Sequence, residues 1–378
     1  MNVLLFPSAY YPAVGGVEVL TANLAKTLQR NGHQVEVWTY ASDGANPVDN
    51  VDGITVRRFS FDLPSRSSLR PKFTLAAMRT FKSMLDAARS FNPDVLHVQC
   101  FSGNGAYAAA LAAGKRLPLI VTLQGETVMD DHAIYDRSVT MRLALRMAAR
   151  MAYVTTGCSQ FTLDHAAERV GIHPRRREVI FNGVDLQIAE EPVVLPGRPF
   201  FAALGRVVRN KGFDLLLDAY ELFAAKEPDT DLVIGGIGPE LASLKSRCEQ
   251  GVLAGRVHFL GRLRQGQVAH VMRASVAVAV PSRVEPFGIV VLEGWRAGVP
   301  VIVTSSGGPP EFVEDGVTGL VVDPRDRIAL ADALIRTAGD PSLRQRIAGA
   351  ASARLGQFSW DAISGEYERL YGASGGKR

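Results

Sequence analysis

The chain has 378 residues and a mass of 40.8 kDa, with 47% hydrophobic and 21% charged residues, values of a soluble globular protein rather than a fibrous or disordered one. Net charge is +4 and the pI is near 9.0; residues 1–185 carry 20 Lys/Arg against 16 Asp/Glu and residues 186–378 carry 22 against 22, so the surplus sits in the first half, which suits an anionic membrane surface, a phosphorylated acceptor or ordinary variation in surface charge. Cys100, Cys158 and Cys248 are far apart with no CxxC spacing, which sets aside a disulfide or cysteine-metal framework and fits reduced thiols in a cytoplasmic protein.

The first elements alternate between two periods. Residues 3–6 read as a strand, too short and too soon closed by Pro7 for a secretion signal. A helix over 18–30 is stopped by Gly32, a second strand covers 35–38, and 54–59 alternates like a third. A long helix over 72–91 follows, then a buried strand at 94–98, a helix over 105–115 and a strand at 119–123. Strands interleaved with helices imply a parallel sheet covered on both faces. No run reaches the roughly 20 apolar residues of a spanning helix.

The pattern restarts after a polar, proline-bearing segment at 190–199. Strands are expected at 200–204, 232–234, 257–260, 276–280, 299–303 and 319–322, each followed by a helix or turn. The fold class expected is therefore α/β, with two doubly wound parallel-sheet, Rossmann-like domains facing across a cleft. Trp360, Ile363, Tyr367, Leu370 and Tyr371 fall at helical spacing after the second unit is complete. That last helix either closes the second domain or crosses back to the first. The boundaries expected are 1–187 plus 357–378 for one domain and 188–356 for the other.

Ligands of such sheets bind beyond the carboxyl ends of strands, at helix starts. The loop after 276–280 reads Pro281-Ser282-Arg283-Val284-Glu285-Pro286-Phe287-Gly288, and the helix that follows carries Glu293. Pro286 and Gly288 shape a tight turn that leaves backbone amides at a helix start, where anions and hydroxyl oxygens are held. Spacing alone leaves two readings open for the glutamates: two contacts to one polyhydroxylated ligand, or a helix-dipole acid and a surface residue. The loop after 200–204 runs Gly205-Arg206-Val207-Val208-Arg209-Asn210-Lys211-Gly212. Its cations suit a diphosphate or a solvated basic turn; it is not a GxxxxGK[ST] loop. Gly15-Gly16 after the first strand allows either a close backbone approach to a ligand or a flexible turn.

Taken in order, Gly205-Arg206…Lys211-Gly212, Gly235-Gly236…Gly238-Pro239, Phe259-Leu260-Gly261, Glu285-Pro286-Phe287-Gly288…Glu293, Gly298-Val299-Pro300, Gly307-Gly308…Glu311 and Gly316…Gly319 resemble the GT-B glycosyltransferases of family GT4. The resemblance covers most of 200–325. It implies that the second domain binds a nucleotide-sugar and the first reads the acceptor, with the last helix crossing back. It implies that Arg206 and Lys211 hold the diphosphate and that Glu285, with the amides of Phe287, Gly288 and Ile289, holds the hexose. Glu293 would hold the ribose, and Arg262 and Leu263 would lie along the base. In the first half, Gly15-Gly16-Val17-Glu18 is similar to the family's glycine loop near the donor phosphate, and Phe181-Asn182-Gly183-Val184-Asp185 to its interdomain segment.

One position departs from the family. Where many relatives place a histidine before glycine, this chain has Gln124-Gly125-Glu126. Glutamine donates and accepts hydrogen bonds but shuttles no proton; Gln124, Glu126 and His132 are the acceptor-side candidates. Asp229-Thr230-Asp231 is a DxD, but it precedes its strand and reads as a turn. Arg142, Arg146 and Arg150 recur at four-residue spacing, either a solvated helix face or a contact for lipid phosphates.

The resemblance implies a retaining hexosyltransferase using a UDP- or GDP-sugar such as GDP-mannose. Glu285, Arg206 and Lys211 carry the reaction, with no metal, no cofactor and no nucleic-acid partner. The acceptor class left open is a small molecule, a lipid-linked sugar or a glycan. The alternatives are a nucleotide-sugar 2-epimerase of similar fold and a non-catalytic nucleotide-sugar-binding protein. The location expected is cytoplasmic, with peripheral contact at the inner membrane face.

Overall fold

The computed structural model describes residues 1–12, 15–41, 46–63, 71–129, 133–227 and 229–375, with the side chains of 71–74 left aside. The chain forms two compact units, Met1–Gly183 with Trp360–Arg378, and Val184–Ser359.

Unit 1 is built on an eight-stranded sheet. Its strands are β1 (Asn2–Pro7), β2 (Gln34–Tyr40), β3 (Val48–Val51), β4 (Ile54–Phe59), β5 (Val95–Gln99), β6 (Leu119–Leu123), β7 (Val154–Gly157) and β8 (Arg177–Val179), in the order β3-β4-β2-β1-β5-β6-β7-β8. All neighbours are parallel except β3, which pairs antiparallel with β4 at the edge. β5, β6 and β7 are buried along their whole length, as a sheet covered on both faces requires. The helix Gly16–Arg30 buries Leu20, Leu24, Ala25 and Leu28 and ends at Asn31-Gly32, where Gly32 takes φ +90°.

Unit 2 carries six parallel strands: β9 (Phe200–Leu204), β10 (Asp231–Gly235), β11 (Val257–Gly261), β12 (Ala277–Val280), β13 (Val301–Thr304) and β14 (Leu320–Val322). Their order is β11-β10-β9-β12-β13-β14, so the winding reverses between β9 and β12. In unit 1 the same reversal falls between β1 and β5. Each reversal splays the two following loops apart and opens a crevice at the carboxyl ends of the strands.

The last helix, Trp360–Gly375, packs on unit 1 and runs farther than the spacing of its apolar residues indicates. It buries Ile363, Tyr367, Leu370 and Tyr371. The Tyr371 hydroxyl lies 2.7 Å from His97 Nδ1 on β5, and Tyr367 packs on the same imidazole with centroids 4.7 Å apart. The helix is thereby a covering layer of the unit 1 sheet, and the read of a segment crossing back to the first domain holds.

Candidate active site

The reversal point of unit 2 brings together the two loops that the sequence singled out. The loop after β9 carries Arg206 and Lys211; the loop after β12 carries Glu285. Glycine lets their backbones touch. Gly212 takes φ +67°, and a Cβ there would sit 2.0 Å from the Pro281 carbonyl oxygen. The Arg283 amide donates to the Asn210 carbonyl at 2.8 Å, and the Arg283 guanidinium reaches both oxygens of Asp214 at 2.7 and 2.6 Å. That bidentate pair holds the Asp214 carboxyl below its ordinary value. Arg283 is therefore a clamp between loops, a role the sequence did not signal.

Lys211 and Glu285 meet at the centre of this seam. Lys211 Nζ lies 2.7 Å from Glu285 Oε2, and Ser282 Oγ donates to the same oxygen at 2.7 Å. Glu285 is 5% exposed. Its backbone is fixed from the other side, since its amide donates to the Ser306 carbonyl at 3.0 Å and its carbonyl accepts from the Gly308 amide at 2.8 Å. Gly307 takes φ +117° and leaves no room for a Cβ, which would fall 2.0 Å from the Glu285 oxygen. Three loops, after β9, β12 and β13, thus converge on one carboxylate. Lys211 and Ser282 both engage Oε2, and Oε1 keeps the acceptor capacity of a carboxylate oxygen.

Gly288, at φ +92°, starts the helix Ile289–Ala297. The first amides of a helix have no acceptor of their own turn and favour anionic or hydroxyl oxygens. Phe287 is 3% exposed and its ring lies 4.9 Å from that of Phe312. Its side chain is spent on packing, so only its backbone can meet a ligand. Glu293 follows one turn in; burial raises its carboxyl above the ordinary value, opposed by the Arg296 guanidinium one turn on. Arg206 is exposed beside the loop. On the next strand pair, Gly236 at φ +137° lets its loop pass the Gly205 carbonyl. Leu263 packs so closely on Gly235 that a Cβ there would lie 2.7 Å from Leu263 Cδ1, while the neighbouring Arg262 is exposed.

Two family models divide this chain. Glycosyl transferases group 1 matches residues 187–354, and Glycosyltransferase Family 4 matches residues 14–188. The D-inositol 3-phosphate glycosyltransferase of Mycobacterium leprae is 30% identical over 95% of this chain and 89% of its own length. The chain belongs to the GT4-type glycosyltransferases. Glycogen synthase of Mycobacterium tuberculosis is 27% identical over 98% of the chain and 94% of its own length. Among solved structures, Anabaena HepE in complex with UDP matches with a TM-score of 0.79 at 22% identity, covering 99% of this chain and 100% of that one. Sucrose-phosphate synthase from Thermosynechococcus elongatus matches at 0.79 and 20%, covering 98% of each. These structures share the GT-B fold of two parallel-sheet α/β domains.

In this glycosyltransferase the acceptor-side candidates of unit 1 lie beyond β6. Gln124 is locked by its neighbours. Its Nε2 donates to Gln99 Oε1 at 3.0 Å, and its Oε1 accepts from Asn182 Nδ2 at 2.9 Å. Gln99 Nε2 then donates to His97 Nε2 at 3.1 Å, which leaves the imidazole proton on Nδ1, facing Tyr371. Burial pushes His97 down to about 3, so the ring stays neutral. Glu126 acts as a clasp: Oε1 accepts from the Phe101 amide at 2.6 Å and Oε2 from the Gln124 amide at 2.7 Å. Burial raises its carboxyl to about 7, against the pull of the backbone amides around it. Gly15 caps the helix Gly16–Arg30, and a Cβ on Gly16 meets nothing within 4 Å. His132 lies outside the described residues. Asp231 of the DxD takes Arg256 at 3.1 Å and His258 at 2.8 Å, a structural set at the head of β10.

Proposed function

We propose that this glycosyltransferase moves a hexosyl group from a nucleotide-diphosphate sugar to an acceptor hydroxyl with retention and without a metal. The reading rests on one observation: Lys211, Ser282 and Glu285 meet at 2.7 Å at the reversal point of the unit 2 sheet, beside a helix start. In that reading Lys211 and Arg206 face the diphosphate. Glu285 Oε1 accepts sugar hydroxyls, Glu293 accepts from the ribose, and Arg262 and Leu263 flank the base. Lysine has three N–H donors, so Lys211 can keep Glu285 and add a phosphate oxygen. Gly15 and Gly16 of unit 1 are the glycines that the family resemblance assigns to the donor phosphate; Gly16 has open space at its Cβ position, whereas the Glu18 carboxylate lies over Gly15.

The reaction asks for charge stabilisation more than for a nucleophile. The C1–O bond to the diphosphate breaks, a bond from C1 to the acceptor oxygen forms on the same face, and the acceptor proton passes to the departing phosphate oxygen. Lys211, Arg206 and the helix start at Ile289 offset the negative charge that grows there. Gln124 and Glu126 belong to the acceptor side as shapers of the loop after β6.

The HepE structures hold UDP and UDP-glucose, which makes UDP-sugars the first donors to try, with GDP-, ADP- and dTDP-sugars beside them. Slow hydrolysis of one donor of the panel, undiminished in EDTA, is the expected result. Abolition by EDTA refutes the metal-free step, and binding of every donor without turnover refutes the enzyme reading. The anomeric configuration of the product, read by NMR, tests retention.

A further inference from the structure

The helix Val139–Met151 starts from Ser138, whose hydroxyl accepts from the Met141 amide at 3.1 Å. One face is buried, with Met141, Leu145, Ala148 and Ala149 at most 8% exposed. The opposite face is apolar as well. Val139, Leu143, Met147 and Met151 stand 48%, 49%, 63% and 46% exposed, and their four-residue spacing lines them along one side. A surface helix ordinarily turns polar residues outward. An ordered apolar stripe facing water marks a contact surface.

The charge beside the stripe says what it contacts. Residues 137–151 contain four arginines, Arg137, Arg142, Arg146 and Arg150, and no Asp or Glu. The preceding Asp136 is taken by Arg169 at 2.7 Å. Arg142 donates to the carbonyls of Tyr135 and Asp136, and Arg146 to that of Val170, so both lie along one edge of the helix. Arg150 is exposed and, at 100° per residue, sits about 20° from both Val139 and Leu143, within the stripe itself. A second copy of this face would set its arginines against these. A free phosphate would leave the apolar side chains in water. A bilayer with anionic headgroups meets both demands, since apolar side chains enter the acyl boundary and the guanidinium groups stay with lipid phosphates.

We propose that the helix Val139–Met151 is an interfacial anchor that rests on anionic lipid, with Leu143 and Met147 inserted and Arg150 at the headgroups. Among the described residues no helix is long and apolar enough to cross a membrane, and this contact needs none. Vesicle binding is read without donor or acceptor, so it stands or falls apart from the donor site.

The test is flotation of the full chain with vesicles of phosphatidylcholine alone and of phosphatidylcholine mixed with phosphatidylglycerol. The expected result is binding to the mixed vesicles, weakened by added salt, and none to the neutral ones. Leu143→Glu with Met147→Glu should lower the bound fraction about tenfold, and Arg150→Gln about fivefold, with donor hydrolysis unchanged. The idea is overturned by a wild-type chain that ignores the mixed vesicles, or by a double variant that binds them equally well. A chain that sediments as a dimer, and that the double variant renders monomeric, overturns it too. Should the double variant not fold, the single Arg150→Gln change decides, and undiminished binding counts against the anchor.

Discussion

Two hydrogen bonds converge on Glu285 Oε2, one from Lys211 and one from Ser282. Removing the lysine leaves a buried carboxylate short of its counter-charge and, in the proposed reading, strips a cation from the leaving group. Lys211→Ala should lower kcat/KM by about a hundredfold or more, measured on the best donor of the panel; an unchanged value removes Lys211 from the site. Glu126 sets a second test, through pH. Its folded carboxyl holds a proton up to about 7, whereas the ordinary value is 4.5. Between those limits the folded chain binds more protons than the unfolded one. The Glu126 contribution to stability is therefore complete below about 4.5 and is lost as pH rises to about 7. The difference in unfolding free energy between wild type and Glu126→Gln should slope downward across that window, and a flat difference contradicts the assignment. The loops after β9 and β12 were legible as a place where Arg, Lys and Glu gather beyond strand ends, and the structure brings Lys211 and Glu285 together there. The roles of Ser282, Arg283 and Gln99 were not, since each depends on a partner distant in sequence.

Loops shaped by glycine are the element-scale device of unit 2. At Gly212 a methyl group meets both a left-handed backbone and the Pro281 oxygen at 2.0 Å. Gly212→Ala should cost about 1–3 kcal/mol and weaken donor binding, because the loop bearing Lys211 must back away from the loop bearing Glu285. Gly349 offers the contrast. It lies inside the helix Pro341–Arg354, and an added Cβ meets nothing within 4 Å. Gly349→Ala should stabilise by about 0.5–1 kcal/mol. Thermal unfolding of the two variants checks both, and similar shifts would contradict the steric account. Most strands were readable as apolar runs bounded by turns, and β9, β6 and β4 fall where the pattern put them. β7 was not read. Its Thr155-Thr156 centre looks like loop, yet Thr156 Oγ1 is satisfied at 2.6 Å by Thr122 on β6. A polar strand interior is intelligible only once its neighbour is known. The edge strand β3 was missed for a related reason, since Val48-Asp49-Asn50-Val51 pairs on one side only and buries little.

At the scale of the whole chain, the helix Trp360–Gly375 returns to unit 1 and is held by buried aromatic side chains. Tyr371 is fully buried against the neutral His97. Tyr371→Ala should destabilise unit 1 by about 3–5 kcal/mol, and Tyr371→Phe, which keeps the ring, by about 1 kcal/mol. Hydrogen exchange of the β5 and β6 amides reads both, and equal effects would mean that the hydroxyl rather than the ring anchors the helix. The helix was legible from its spacing, but its destination came from the family resemblance alone, since an apolar face does not say which sheet it will cover. The chain's two passages into unit 2 run side by side. Val184 bridges Ser359 in parallel, the Val184 amide reaches the Phe358 carbonyl at 2.8 Å, and Gly183 lies so near Trp360 that a Cβ would fall 2.6 Å from its ring. Unit 2 is thus one uninterrupted stretch, while unit 1 is assembled from the two ends of the chain. During synthesis, then, the half that leaves the ribosome first is the half that finishes last: unit 2 has all its strands while the unit 1 sheet, one face covered only in part by the helix Gly16–Arg30, still waits for the final helix.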